Sequence, residues 1–128
     1  VSHSTFGQPL TSRTKHIRKA VDILKDKNVD FQFDGDMQPD VALNSEYQEL
    51  YPFSKIVGSA NILIMPGQHS AAISYKMMKT LGDTRVIGPL LIGLGLPVEI
   101  APLRSSTSEI INLASIAAYS ADVIDYKK

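Results

Sequence analysis

The feature that most constrains the fold is a short apolar run that leads into a polar loop and a long apolar helix, within residues 88–112. Residues 89–94 have the length and content of a buried strand, and residues 98–101 predict a second short strand. The composition then becomes polar across residues 102–109, where a helix pattern begins near Thr107. Because the free N–H groups at a helix N-terminus favour anions, this loop is the first place to expect a bound ligand.

The loop carries the side chains that suit this chemistry. Arg104 can donate two parallel hydrogen bonds to a phosphate or a carboxylate. Ser105 or Ser106 would need a general base to act as a nucleophile, and the sequence identifies no such partner. The alternative is that Arg104 and Glu109 are simply exposed charges at the start of a helix, which is a common arrangement.

Apolar segments of strand length alternate with helical patterns along the rest of the chain. An alternating segment at Phe31–Phe33 and an almost continuous apolar run at residues 60–66 predict further strands. This alternation predicts an α/β fold with a mostly parallel sheet. The predicted helices span about residues 12–27, 39–50 and 107–124, and a further helix follows the turn at residues 67–70 and carries Ile73, Met77 and Met78. Gly82 is predicted as the left-handed C-terminal cap of that helix.

Four loops are predicted at the carboxyl ends of the strands, where ligands bind in such sheets. They comprise residues 2–7, 34–40, 66–70 and 102–109, and we expect them to face one cleft. In the first loop, hydroxyl groups beside Gly7 suit a phosphate or a carboxylate, although a polar surface turn is the plainer interpretation.

The second and third of these loops also allow two interpretations. Asp34, Asp36 and Asp40 suggest a metal, but their spacing does not fit a calcium-binding EF-hand loop, and no metal site is predicted. The alternative is a turn at the end of a strand, with Asp40 capping the next helix. His69 either contacts a ligand or is a surface residue at the start of a helix.

The composition bounds the class of protein. The 128 residues are enough for one domain, and 13 basic against 13 acidic side chains provide no general attraction for nucleic acid or an anionic membrane. The absence of cysteine excludes disulfides and thiolate metal sites. No signal peptide or membrane-spanning segment is recognisable, so a cytoplasmic location is expected. The chain opens on Val1 in a loop, which suggests a piece of a longer polypeptide.

Several segments together resemble the phosphate acetyltransferase/butyryltransferase family. They occur in the order and spacing of that family and cover nearly the whole chain: residues 2–7 (SHSTFG), 34–40 (DGDMQPD), 60–66 (ANILIMP), 73–76 (ISYK) and 88–98 (GPLLIGLGLPV). The resemblance implies a three-layer fold like that of the isocitrate and isopropylmalate dehydrogenases. It also implies that residues 1–128 are the C-terminal part of such a domain.

Two versions of this family are relevant. Free-standing phosphate acetyltransferases carry a pattern like S-R-G-C-S-D-E-D-I, in which the Asp before the Ile is the proposed base for the CoA thiol. Here the segment from Arg104 to Ile110 is one residue shorter, has Ser for Cys and places Glu109 at the position of that Asp. The second version is fused behind the oxidoreductase domains of large bacterial malic enzymes. Residues 2–7 and 110–117 are more similar to this second version.

The resemblance to the second version implies a regulatory domain that binds acetyl-CoA or another acyl-CoA and helps to form a homo-oligomer, at least a dimer. NADP and a divalent metal would then be bound by other domains of the parent enzyme, and the fragment itself is expected to hold no cofactor. Glu109 is the candidate catalytic base. The candidate residues for binding CoA or phosphate are Arg104, Ser105, Ser106, Ser108, Ser4 and Thr5. The predicted cleft-lining residues are Asp34, Asp36, Gln38 and His69.

Overall fold

A computed structural model describes residues 1–125 and contains five helices in that range. The chain divides into two compact units, residues 1–76 and the part from Met77 onward. The helices are α1 (Ser12–Asp26), α2 (Pro39–Leu43), α3 (Ser45–Gln48), α4 (Gln68–Leu81) and α5 (Thr107–Asp125). The predicted tail of residues 126–128 lies outside the described part.

The first helix begins where the sequence predicts. Thr11 is its N-cap, and a reciprocal pair of hydrogen bonds fixes this end. The Thr14 N–H donates to Thr11 Oγ1 (3.3 Å), and the Thr11 N–H donates to Thr14 Oγ1 (2.9 Å). Such a capping box satisfies two N–H groups that have no partner within the helix. Thr14 is fully buried, so the start of α1 is anchored in the first unit.

The prediction of a single helix over residues 39–50 is wrong in one detail, because the structure divides this segment into α2 and α3. Asn44 lies between them in an extended conformation, and its Oδ1 accepts from the Glu46 N–H (2.9 Å), which starts a new helix. Asp40 is not the cap of α2. It lies in the first turn, and Gln38 occupies the N-cap position without a side-chain capping bond.

The apolar segments predicted as strands form no sheet within residues 1–125, where the only β-pairing is an isolated antiparallel bridge between Thr5 and Gln8. Residues 60–66 and 86–101 belong to neither a helix nor a strand, and their side chains are not covered as a two-sided buried strand requires. Ile62 is 73% exposed and Ile92 is 89% exposed. The predicted parallel sheet is therefore not confirmed.

The core of the first unit forms around the start of α2. Met37, Val41 and Ala42 are buried there. Backbone bonds connect distant segments to this cluster, since the Ala60 N–H donates to the Ala42 carbonyl (2.8 Å) and the Ser2 N–H to the Met37 carbonyl (2.8 Å). The apolar side chains that pack against the cluster are Val1, Phe6, Tyr51, Ile56, Ala60 and Leu63.

The second unit buries much less. Leu113 on α5 is its one buried apolar side chain among the described residues. The Gly82 N–H donates to the Met78 carbonyl (2.9 Å) and ends α4, but Gly82 does not have the positive φ that was predicted. Glycine is needed at this position because a Cβ atom would lie only 2.8 Å from the Met78 carbonyl oxygen.

Candidate functional site

Two of the four predicted loops, residues 2–7 and 34–40, are joined directly in the first unit. The Phe6 N–H donates to the Asp36 carbonyl (2.7 Å). Gln38 adds two bonds, since its N–H donates to Thr5 Oγ1 (3.1 Å) and its Nε2 donates to the His3 carbonyl (2.9 Å). These contacts hold the hydroxyl-rich loop against the carboxylate-rich one, as the prediction of a shared site requires.

The interior of this loop pair is polar. Ser2, Ser4, Thr5 and Asp36 are all buried, so the interpretation of residues 2–7 as a surface turn is wrong. Asp36 Oδ2 accepts from the Gly7 N–H at 3.4 Å, a long hydrogen bond. Ser4 Oγ and Asp36 Oδ1 have no hydrogen-bond partner within the described residues. Buried polar atoms are almost always paired, so these two unpaired atoms in adjoining loops are candidates for contact with water or a ligand.

Asp34 has a different role from Asp36. Its Oδ1 accepts from the Gly35 N–H (2.8 Å), and its Oδ2 accepts from the Lys55 N–H (2.8 Å). Both carboxylate oxygens therefore organise the backbone around them. The structure thus places Asp34 as the group that connects the loop of residues 34–40 to the segment carrying Lys55.

The loop of residues 102–109 in the second unit is exposed and locally held. The Ser105 N–H donates to the Pro102 carbonyl (2.9 Å), which closes a turn around the exposed Arg104. Ser106 is linked to Glu109, since its N–H donates to Glu109 Oε2 (2.7 Å) and its Oγ accepts from the Glu109 N–H (3.3 Å). Ser106 Oγ also lies 3.1 Å from Ser108 Oγ. Ser106 and Glu109 therefore form a reciprocal cap at the start of α5.

Glu109 also forms an ion pair with Lys79 in the same unit. The hydrogen bond from Lys79, followed by those from the Ser106 backbone and hydroxyl, lowers the pKa of Glu109 to about 2. A carboxylate that is already stabilised in its charged form has less tendency to accept a proton. The contacts thus favour a capping role for Glu109 in this conformation.

His69 lies near the start of α4 and is exposed. The adjacent residue Ser70 bonds back to the turn before the helix, because its Oγ donates to the Gly67 carbonyl (2.8 Å). His69 thus occupies the surface position that the plainer interpretation predicted. Within the first unit, the structure joins two of the predicted loops to each other and leaves His69 on the surface.

The two units differ in the size of their cavities. A small cavity beneath Ser105, Glu109 and Leu113 has a volume of about 10 Å³, room for one water molecule. A much larger cavity of about 410 Å³ lies in the first unit, between α1 and the Asp34–Gly35 turn. It is lined in part by Arg18, Lys55 and Phe53, which the sequence analysis did not single out because they lie on a helix face and in a loop remote from any motif.

Neither a metal cluster nor a membrane span is recognisable in the described part of the chain. Residues 1–125 contain no group of three or more His, Asp or Glu side chains arranged to hold a metal ion. None of the helices in this range combines the length and the hydropathy that crossing a membrane requires.

Comparison with known proteins identifies the family. The model of the family described as phosphate acetyl/butaryl transferase matches residues 1–118. The chain belongs to this family. The family is consistent with the predicted α/β class, and its match includes both the paired loops of the first unit and the loop around Arg104.

Individual relatives fall into two groups. The chain is 50% identical over 121 residues to an NADP-dependent malic enzyme of Rhizobium meliloti, a match that covers 94% of this chain and 16% of that protein. It is 32% identical over 123 residues to an NADP-dependent malic enzyme of Escherichia coli, with the same two shares. A phosphate acetyltransferase of Bacillus subtilis is 34% identical over 122 residues, 38% of its length. The chain thus spans about a sixth of the malic enzymes that it resembles.

Proposed function

We propose that this chain is the acyl-CoA-binding regulatory part of a malic enzyme that uses NADP to convert malate to pyruvate. The observation that carries the proposal is the joined loop pair, with Ser4 Oγ and Asp36 Oδ1 buried and unpaired in its interior. An acetyl-CoA ligand carries hydroxyl, amide and phosphate groups that can pair with such atoms. The 50% identity to a malic enzyme supports this parent over a free-standing transferase.

Arg104 supports the same proposal from the second unit. It is exposed, and its side chain makes no ion pair within residues 1–125, so its guanidinium is available to a CoA phosphate. The hydroxyls of Ser105, Ser106 and Ser108 and the N-terminus of α5 assist in the same loop. NADP and the divalent metal of the reaction belong to other domains of the parent protein.

Isothermal titration of acetyl-CoA into the full-length protein tests this function. We expect saturable binding that Arg104→Ala weakens by about tenfold or more, since hydrogen bonds between charged groups contribute about 1.5–3 kcal/mol. Arg85→Ala is the matched control, because Arg85 is an exposed arginine of the same unit outside the loop. No saturable heat, or equal weakening by both substitutions, would contradict the proposed site.

The fold of the complete domain is part of the same proposal. We infer that residues 31–33, 60–66, 86–94 and 98–101 become strands of a mostly parallel sheet when further strands lie beside them. Their exposed apolar side chains and lack of ladder bonds support this inference. Slow amide exchange at residues 62–64 in the full-length protein is expected, and fast exchange there would contradict it.

Assembly into a homo-oligomer is proposed through α5. Ile110, Ile111 and Tyr119 are large apolar side chains left exposed on this helix. Ile111→Asp should lower the mass of the full-length oligomer in sedimentation, and an unchanged mass would contradict this role of α5. Leu113 is unsuitable for this test because it is buried within the unit.

A phosphate acetyltransferase is the second candidate, favoured by the 34% identity to the Bacillus subtilis protein. It requires Glu109, or another base, to accept the thiol proton of CoA. Phosphate-dependent release of CoA from acetyl-CoA, slowed by Glu109→Gln, would support this activity. The low pKa of Glu109 makes it a weak general base for this step.

A further inference from the structure

The cavity of about 410 Å³ in the first unit combines cations with aromatic rings. Arg18, Lys25 and Lys55 line it together with Asp22 and Asp34. The carboxylates are already engaged, since Asp22 accepts from Lys25 (2.7 Å) and both oxygens of Asp34 accept backbone N–H groups. Neither Arg18 nor Lys55 forms an ion pair within residues 1–125. The pKa of Asp22 is lowered by its hydrogen bond from Lys25 and also by the charge of Arg18, so Asp22 partly compensates Arg18 without a direct ion pair. Both Arg18 and Lys55 can still bind an anion directly.

The wall near these cations is aromatic. Phe6 and Phe53 both line the cavity, and their rings make an edge-on contact with centroids 4.8 Å apart. Tyr51 supports both rings from outside the cavity, with centroids 5.5 Å from Phe6 and 6.1 Å from Phe53. Phe53 is largely exposed, so a face of its ring is free to stack on a flat group.

Two glycines shape the space between these groups. A Cβ at Gly7 would lie 2.9 Å from Arg18 Nη1, so the absence of a side chain allows the guanidinium to lie against this turn. Gly35 also lines the cavity. Its φ of +154° is a backbone conformation that residues with a Cβ atom rarely adopt. Both glycines belong to the joined loop pair, which thus also positions the cation.

We propose that this cavity binds a nucleoside phosphate, with the phosphate held by Arg18 and Lys55 and the base stacked on Phe53. The planar guanidinium of Arg18 and the flexible ammonium group of Lys55 can both donate hydrogen bonds to phosphate oxygens. The ring of Phe53 can stack on any nucleic-acid base. The volume lies within the range of small-molecule pockets, about 300–1,000 Å³. The cavity lies on the α1 side of the first unit and does not include Arg104, so the proposal stands separately from the acyl-CoA function.

Titration of adenosine 3′,5′-bisphosphate into the full-length protein tests the proposal. We expect Arg18→Gln and Lys55→Gln each to weaken binding by about tenfold or more, because each removes a charge-assisted contact. Phe53→Leu should weaken it by about fivefold or more through loss of stacking. Arg13→Gln is the matched control, since Arg13 is an exposed arginine of α1 that does not line the cavity.

Two further probes separate the contributions. Adenosine without phosphate and inorganic phosphate alone should each bind at least tenfold more weakly than the bisphosphate, on the order expected for losing one of two contacts. The proposal would be overturned if either probe bound as tightly as the bisphosphate, or if the bisphosphate did not bind. It would also be overturned if Arg18→Gln and Lys55→Gln both left the affinity for the bisphosphate unchanged. If acetyl-CoA displaces the bisphosphate, the natural ligand of the cavity is the nucleotide part of CoA. If the two bind independently, the natural ligand is a free nucleotide. Both results require that the bisphosphate binds in the cavity.

A variant at Arg104 distinguishes binding in the cavity from binding at the loop of residues 102–109. Arg104→Ala should leave binding of the bisphosphate within about twofold of the unchanged protein if the ligand lies wholly in the cavity, since Arg104 does not line it. Loss of bisphosphate binding in Arg104→Ala, with none in Arg18→Gln, would assign the nucleotide to the other loop and overturn the proposal for the cavity.

Discussion

The loop pair of residues 2–7 and 34–40 and the single loop of residues 102–109 were predicted to serve the same ligand, but they are built differently. In the loop pair, Gln38 bonds to Thr5 and His3, which lie 33 and 35 positions earlier in the chain. Contacts at the N-terminus of α5 join Ser106 to Glu109, three positions apart. The first arrangement depends on the folding of its whole unit, whereas the second can form wherever the helix forms.

The comparison predicts that packing near the loop pair has the largest effect on stability. Met37 is 2% exposed, whereas Met78 in the second unit is 60% exposed. Met37→Ala should lower the free energy of unfolding by about 2–5 kcal/mol, because it leaves a cavity in the core. Met78→Ala should change it by less than about 0.5 kcal/mol. Urea unfolding of the two variants measures the difference, and equal effects would show that the two units are not packed differently.

Loss of one contact between the loops should have the next largest effect. Thr5→Ala removes the acceptor for the Gln38 N–H and should destabilise the protein by about 1–3 kcal/mol. Thr5→Ser keeps the oxygen and is the control. Urea unfolding of both variants measures the contribution of this hydrogen bond, and an equal loss in Thr5→Ser would assign the effect to the methyl group instead.

A smaller effect is expected for the cap of α5. Ser106→Ala removes the hydroxyl that accepts from the Glu109 N–H and should destabilise the helix by about 1 kcal/mol. Ser106→Thr keeps the hydroxyl that bonds to Glu109 and should retain most of that stability. If thermal unfolding gives the same midpoint for Ser106→Ala and the unchanged protein, the local contacts around Glu109 contribute nothing to folding.

The smallest effect concerns acid stability. The pKa of Glu109 is lowered from 4.5 to about 2 by Lys79 and Ser106, so its charged form is stabilised in the folded state. This contribution is fully present above pH 4.5 and is lost as the pH falls through about 2. The stability difference between the unchanged protein and Glu109→Gln should therefore shrink over that pH range. A difference that is constant between pH 5 and pH 2 would contradict the lowered pKa.

Local signals in the sequence predicted the helices well. Thr11 and the apolar spacing after it predicted α1, and the polar-to-apolar change near Thr107 predicted the start of α5. These features depend on neighbouring residues only, which is why they are accessible without tertiary information. The break at Asn44 is also a local feature, and an Asn two residues before Glu46 is a capping signal that the analysis overlooked.

Features that depend on distant residues were not predictable in the same way. The burial of Ser4 and Asp36 results from contacts across the loop pair, and a polar loop sequence gives no sign of it. The expected strands failed to form a sheet here because ladder hydrogen bonds require a neighbouring strand, which an apolar run cannot specify by itself. The cavity beside Arg18 was missed for the same reason, since α1 and the Asp34–Gly35 turn meet only in three dimensions.

Hydrogen exchange of the full-length protein with and without acetyl-CoA tests the central claim, that the loop pair is a ligand site. We expect acetyl-CoA to slow exchange in residues 2–7 and 34–40, where Ser4 and Asp36 have unpaired buried atoms, with α3 as the internal reference. Saturable binding that leaves exchange in both segments unchanged would contradict the account.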